Sequence, residues 1–215
     1  MLEIIPAILS SNLEEVRALL AVCEPVVRRV QIDVIDGVFA NNKTIEPATL
    51  ASFDTHLLID YHLMVEEPKN WIDTCMKGKA DRIIGHIEKM ANQVVFANQV
   101  KDAGAKAGLA IDLATPVSAL SQEAVQLVDV VIVLSVQAGF GGQNFDEGSL
   151  AKIEELNEIR DKTGATFTIC DDGGITLDTI ALTSAHGVDS VAVGKRIFHG
   201  NLEENIDHFK KAAMR

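Results

Sequence analysis

Residues 30–37 read VQIDVIDG. Val30, Ile32 and Val34 alternate with Gln31, Asp33 and Ile35, the period of a β-strand with one apolar face. The other face carries Gln31 and Asp33, just before a turn at Asp36-Gly37. An amide and a carboxylate on an interior strand cost free energy unless they are put to use. The stretch therefore points to a fold that gathers polar strand ends at one site.

Working outward, the same kind of segment recurs. Strands are expected at 3–9, 29–34, 56–64, 81–87, 106–111, 128–134, 166–170 and 188–193. Helical patterns lie between them at 12–23, 90–103, 147–162 and 202–214. The third carries Leu150, Ile153, Leu156 and Ile159 at helical spacing. The second runs into Gly104, a residue suited to a helix C-cap. Alternation of strand and helix implies parallel strands with right-handed crossovers. Eight such units in 215 residues match an α/β protein of the (β/α)8 TIM-barrel type, a single domain spanning 1–215. A doubly wound open sheet is the alternative. Polar side chains at the C-terminal ends of many strands favour the barrel, which carries its active site at that end.

The chain is 47% hydrophobic and 23% charged, enough apolar material for a sizeable core. Its net charge of -12 opposes binding to nucleic acid or to an anionic membrane surface. An anionic small molecule can still bind through local backbone dipoles. Cys23, Cys75 and Cys170 are odd in number and far apart, as free thiols in a reducing cytoplasm would be. The start, MLEIIPAILSSNLEE, has no basic stretch before its apolar run, and no apolar run approaches ~20 residues. Neither a secretory leader nor a membrane span is expected.

The strand ends carry the chemistry. Gln31 and Asp33 share a face, as do Asp60, His62 and Met64, and then His86 and Glu88; Ser135 and the pair Asp171-Asp172 end two later strands. Each has an ordinary explanation alone, a hydrogen-bonded core histidine or a turn-forming Asp before Gly173-Gly174. Carboxylates and imidazoles converging from several strands fit proton transfer or metal binding better. Glycine-rich loops follow strands six to eight: GFGGQNF (139–145), DGGI (172–175) and VGKRIF (193–198). Such loops form a recurring phosphate site in TIM barrels, where Lys195 either adds charge or is simply solvated.

The segments PAILSSN (6–12), DVIDG (33–37), TIEP (44–47), DYHLM (60–64), HIE (86–88), AGFGGQNF (138–145), DDGGI (171–175) and GKRIF (194–198) occur in one order. In this combination the chain resembles the ribulose-phosphate 3-epimerase family. The resemblance implies a cytoplasmic, homo-oligomeric isomerase acting on a small sugar phosphate. Its reaction would interconvert D-ribulose 5-phosphate and D-xylulose 5-phosphate by inverting C3. Two opposed acid/base groups, Asp33 and Asp172 by this resemblance, would move the proton through an enediolate. The resemblance also implies a divalent metal (Zn, Fe or Mn) on Asp33, His62 and Asp172. Ser10, His62 and Met64 would line the sugar, and Gly141, Gly142, Gly173, Gly174 and Gly194 the phosphate.

The chain departs from the family pattern at its opening stretch. Gln31 stands where the family has a fourth ligand, His; Gln binds hard cations through its carbonyl oxygen but is a poor zinc ligand. Val38, Lys43 and Glu46 also depart, as does Lys195-Arg196 after Gly194, where the family has a small residue. Two other readings stay open. One is a metal-independent epimerase, isomerase or lyase for another ketose phosphate. The other is a non-catalytic sugar-phosphate-binding protein, against which the two opposed carboxylates speak. His56, His186, His199 and His208 are assigned no function.

Overall fold

All eight expected strands form in the computed structural model, which describes residues 2–214; Met1 and Arg215, the ends of the expected domain, lie outside the described residues. The strands are β1 Glu3–Ile8, β2 Arg29–Ile35, β3 Leu58–Met64, β4 Ala80–His86, β5 Lys106–Ile111, β6 Val130–Leu134, β7 Thr168–Asp172 and β8 Ser190–Val193. Every neighbouring pair is parallel, and β8 pairs with β1 to close the barrel. The β2–β3 register sets Gln31 opposite Asp60 and Asp33 opposite His62.

The described helices are α1 Leu13–Cys23, α2 Ile72–Lys77, α3 Gln93–Asp102, α4 Gly148–Thr163, α5 Thr179–Ala185 and α6 Leu202–Ala212. Three begin at an Asn whose side chain accepts N–H bonds from the first turn: Asn12, Asn92 and Asn201. Gly104, just past α3, has φ +93°, which suits it to end that helix. Strict alternation fails twice. Only a short 3-10 turn at Pro47–Leu50 joins β2 to β3, and two at Val117–Ala119 and Ala124–Gln126 join β5 to β6. Neither connection carries the apolar periodicity that an α-helix would need to cover the sheet.

Two apolar layers hold the molecule together. One lies between strands and helices, with Val16, Leu20, Tyr61, Phe96, Leu156 and Phe167 buried in it. The other fills the barrel with Ile5, Ala7, Ile84, Ala110, Val130, Ile132 and Cys170. Cys23, Cys75 and Cys170 are free and buried, as expected, and burial pushes all three thiols up, away from reactivity. Polar groups lie above and below the inner apolar layer. In the lower half, Asp60 bonds to both Arg29 and Arg82, and Arg29 also reaches Asp81 at 2.9 Å. Asp60 shares a strand face with His62, but belongs to this ion cluster rather than to the upper group.

Candidate active site

The C-terminal half of β2 is pinned by its neighbours. The Thr44 hydroxyl donates to the Asp33 backbone carbonyl (2.8 Å) and accepts the Ile35 N–H (2.9 Å). Asp36 then closes the turn by accepting the N–H groups of Val38, Phe39 and Glu66. With the backbone fixed, strand alternation aims Gln31 and Asp33 into the barrel. Gln31 is 1% exposed and Asp33 8%.

From across the barrel comes Asp172, the last residue of β7. The chain leaves it through Gly173 (φ +109°) and Gly174 (φ +65°). A Cβ on Gly173 would lie 2.4 Å from a Val136 methyl, and one on Gly174 would lie 2.5 Å from the Phe145 backbone. Only glycine satisfies both the backbone angle and the close approach.

Asp33, His62 and Asp172 offer ligand atoms that all lie within 4.8 Å of one another, a candidate metal-binding group. His62 Nδ1 is 3.1 Å from Asp33 Oδ1 and 3.3 Å from Asp172 Oδ2. Gln31 sits against the same atoms. Its Nε2 donates to Asp33 Oδ1 at 2.8 Å and to Asp172 Oδ2 at 2.7 Å, and lies 3.3 Å from His62 Nδ1.

A second chain of bonds leads away from His62. Its Nε2 is 2.9 Å from His86 Nε2, and His86 Nδ1 is 2.9 Å from Glu88 Oε2. Glu88 also accepts the Asp112 N–H at 2.7 Å. The carboxylate fixes the tautomers: His86 donates from Nδ1 to Glu88, so its Nε2 accepts, and His62 donates from Nε2. Burial opposes a charge on His62, but its hydrogen bonds to Asp172 and Asp33 outweigh this and lift its pKa to about 9. Burial pushes Asp33 above the usual carboxylate range; the nearby Asp172 adds to this while His62 and Gln31 oppose it. Burial lowers His86, the middle of the chain.

Above these groups opens a cavity of about 520 Å³. Asp33, His62, Met64 and Asp172 form its floor, and Gly141, Gly142, Gly173, Gly174, Gly194 and Lys195 its loops. All of these were singled out from sequence. Gln31 is not at the cavity surface but beneath it. Ser10 lies outside the lining; its hydroxyl donates to Glu15, which does line the cavity. Lys43, Glu46 and Val38 are also outside it. Arg196, His199 and Phe140 line it. His199, given no function from sequence, reaches the mouth because a 3-10 turn at Lys195–Phe198 delivers it there.

Comparison with known proteins bears on the family and the fold. The model of the ribulose-phosphate 3-epimerase family matches residues 3–198. The chain is 34% identical over 202 residues to the chloroplastic ribulose-5-phosphate-3-epimerase of Arabidopsis thaliana, covering 90% of this chain and 70% of that one. It is 33% identical over 200 residues to the ribulose-phosphate 3-epimerase of Treponema pallidum, covering 92% and 91%. Among solved structures, KGPDC from Streptococcus mutans superposes with a TM-score of 0.74 at 15% identity, over 100% of this chain and 98% of that one. Orotidine 5'-monophosphate decarboxylase from Methanocaldococcus jannaschii gives 0.68 at 14%, over all of both chains. At such identities the structural likeness concerns the fold alone.

Proposed function

Because the chain belongs to the ribulose-phosphate 3-epimerase family, and so is an isomerase acting on a sugar phosphate, we propose that Asp33 and Asp172 are the two proton-transfer groups that invert C3 of ribulose 5-phosphate. The observation that carries the reading is the placement of two carboxylates, from β2 and β7, on the floor of one cavity. Inversion needs a base on one face of C3 and an acid on the other. One Asp, ionised, takes the proton α to the ketone; the other, protonated, returns one from the far side. In the reverse direction the roles exchange. Burial raises Asp33 above the usual carboxylate range, the direction that suits a group that must carry a proton in one half of the reaction.

The negative charge that develops on the substrate oxygen needs a donor or a positive charge in place before reaction. His62 lines the cavity and its pKa is lifted to about 9; its N–H groups are engaged by the two carboxylates and by His86, so it is the positive charge of the ring that is assigned to that oxygen. The phosphate is assigned to the loops of Gly141, Gly142, Gly173, Gly174 and Gly194, with Lys195 and Arg196 beside them. These cations supply local positive charge in a chain of net charge -12. Met64 on the floor packs against the sugar carbons.

Three donors of a tetrahedral metal site are present, but the amide at the remaining position presents its nitrogen, which has no lone pair for a cation. The donor set as arranged does not fit a resident divalent cation, and no step is assigned to one. Among the described residues no helix is long and apolar enough to cross a membrane. Assembly into a homo-oligomer belongs to the same proposal and is read by light scattering.

The test is turnover of ribulose 5-phosphate beside a panel of other ketose phosphates, run in deuterated water. Ribulose 5-phosphate should be the preferred substrate and its C3 position should take up deuterium. Preference for another ketose phosphate, or exchange at a different carbon, overturns the assignment. Binding without turnover supports the non-catalytic alternative.

A further inference from the structure

Gln31 has two possible orientations, and its surroundings choose between them. The inward end of the amide lies 2.7 and 2.8 Å from two carboxylate oxygens. An ionised carboxylate oxygen only accepts, and one of the two is ionised in either direction of the reaction, so the group facing them is the NH2, one hydrogen to each side. The opposite orientation would set the amide oxygen against the ionised carboxylate with no proton between them. A cation bound by Asp33, His62 and Asp172 would demand that opposite orientation, because only the oxygen coordinates. A side chain that is 1% exposed, inside a closed barrel, is not free to be pushed aside for it.

We propose that Gln31 takes the place of a divalent cation in this enzyme: its amide bridges the carboxylates of Asp33 and Asp172, and the site works with no resident metal. This rests on the reading of those two residues as the proton-transfer pair. The bridge does the structural part of a cation's work, holding the two carboxyl groups at fixed positions by hydrogen bonds, charge-assisted to the one that is ionised. Being neutral, it lacks the strong field by which a dication suppresses the basicity of its ligands. Both carboxylates remain competent to exchange a proton with substrate. The electrostatic part, at the substrate oxygen, is left to the ring of His62, which lines the cavity.

The experiment compares wild type with Gln31→His by elemental analysis, by calorimetric titration with Zn and Mn, and by turnover of ribulose 5-phosphate before and after a chelator. Wild type should carry no stoichiometric metal, give no measurable heat of specific binding, and keep its turnover after chelation. Gln31→His should purify with a divalent metal, or bind Zn at least about tenfold more tightly than wild type. One tightly held metal per wild-type chain, with turnover lost on chelation and restored by Zn or Mn, overturns the proposal. The wild-type measurements stand even if the variant does not fold. Failure of the epimerase reading is seen separately, as absence of turnover in both proteins with and without metal; elemental analysis and calorimetry still decide the metal question in that case.

Discussion

The barrel buries acidic side chains at both of its ends and treats them differently. In the lower half, Asp60 is 1% exposed and is clamped by two guanidiniums, those of Arg29 and Arg82. In the upper half, Asp33 and Asp172 share an amide and an imidazole. A carboxylate between two arginines is a fixed charge, since guanidiniums do not give up their protons. A carboxylate next to an amide and a titratable ring can gain and lose a proton. The first arrangement braces the fold, and the second leaves room for chemistry. Substitutions that separate stability from turnover are the way to test this contrast.

The sharpest separation is expected at the top. Asp33→Asn and Asp172→Asn each remove a proton carrier while keeping shape, and should lower turnover by about 10²- to 10⁴-fold. Thermal stability should hold or rise, because like charges are relieved. A melting temperature that falls together with the rate would show that the upper carboxylates brace the fold as Asp60 does.

At the bottom the signs reverse. Asp60→Asn takes the counter-charge from two buried guanidiniums and should cost roughly 3–5 kcal/mol of stability, read by denaturant unfolding. Arg29 keeps Asp81, so the greater loss falls on Arg82. Turnover per folded molecule, measured well below the melting temperature, should be unchanged. A stable variant with a lowered rate would tie the lower cluster to the site and break the contrast.

A third buried carboxyl sharpens the comparison, because it neither braces by charge nor faces substrate. Asp171 precedes Asp172, so strand alternation turns it outward, where it is fully buried. Its oxygen meets the Ser135 hydroxyl, which lies 2.6 Å from the Ser149 hydroxyl, which donates to the Asp146 carbonyl at 2.8 Å. Three links supplied by only two hydroxyl protons are complete when Asp171 supplies the third. Burial accordingly raises Asp171 from the ordinary 3.8 to about 7. A carboxyl whose folded pKa is raised contributes stability below its unfolded pKa and loses it as pH rises through the folded one. Asp171→Asn imitates the protonated form, so it should melt like wild type near pH 4 and above wild type at pH 8. Parallel melting curves across that range would show Asp171 to be ionised throughout.

How much of this was legible follows from the range of each signal. The eight strands were legible because apolar alternation is local. The helices α2 and α5, of six and seven residues, are too short to show a period and were not expected. The end of the barrel that carries the candidate site was legible because polar residues stood out at strand ends. Where Gln31 points was not, because its partner Asp172 lies 141 residues away in the chain. The same holds for Asp60, whose face was correct but whose partners Arg29 and Arg82 come from neighbouring strands. His86 and Glu88 were seen on one face, and only the closed barrel sets His86 against His62.

That last contact supplies the smallest expected effect. Glu88→Gln can keep one of two bonds, accepting either the Asp112 N–H or the His86 Nδ1–H, but not both. If the backbone bond wins, the amide NH2 faces His86 Nδ1, and His86 must shift its proton to Nε2. Two N–H groups then meet across the 2.9 Å contact with His62, which can no longer donate there. Losing one buried hydrogen bond of this kind should lower kcat about tenfold. Glu88 acts through His86 and His62 and does not line the cavity, so KM should be unchanged. A change in KM with kcat intact would mean that Glu88 shapes the binding loops, and that the line from Glu88 to His62 carries no part of the reaction.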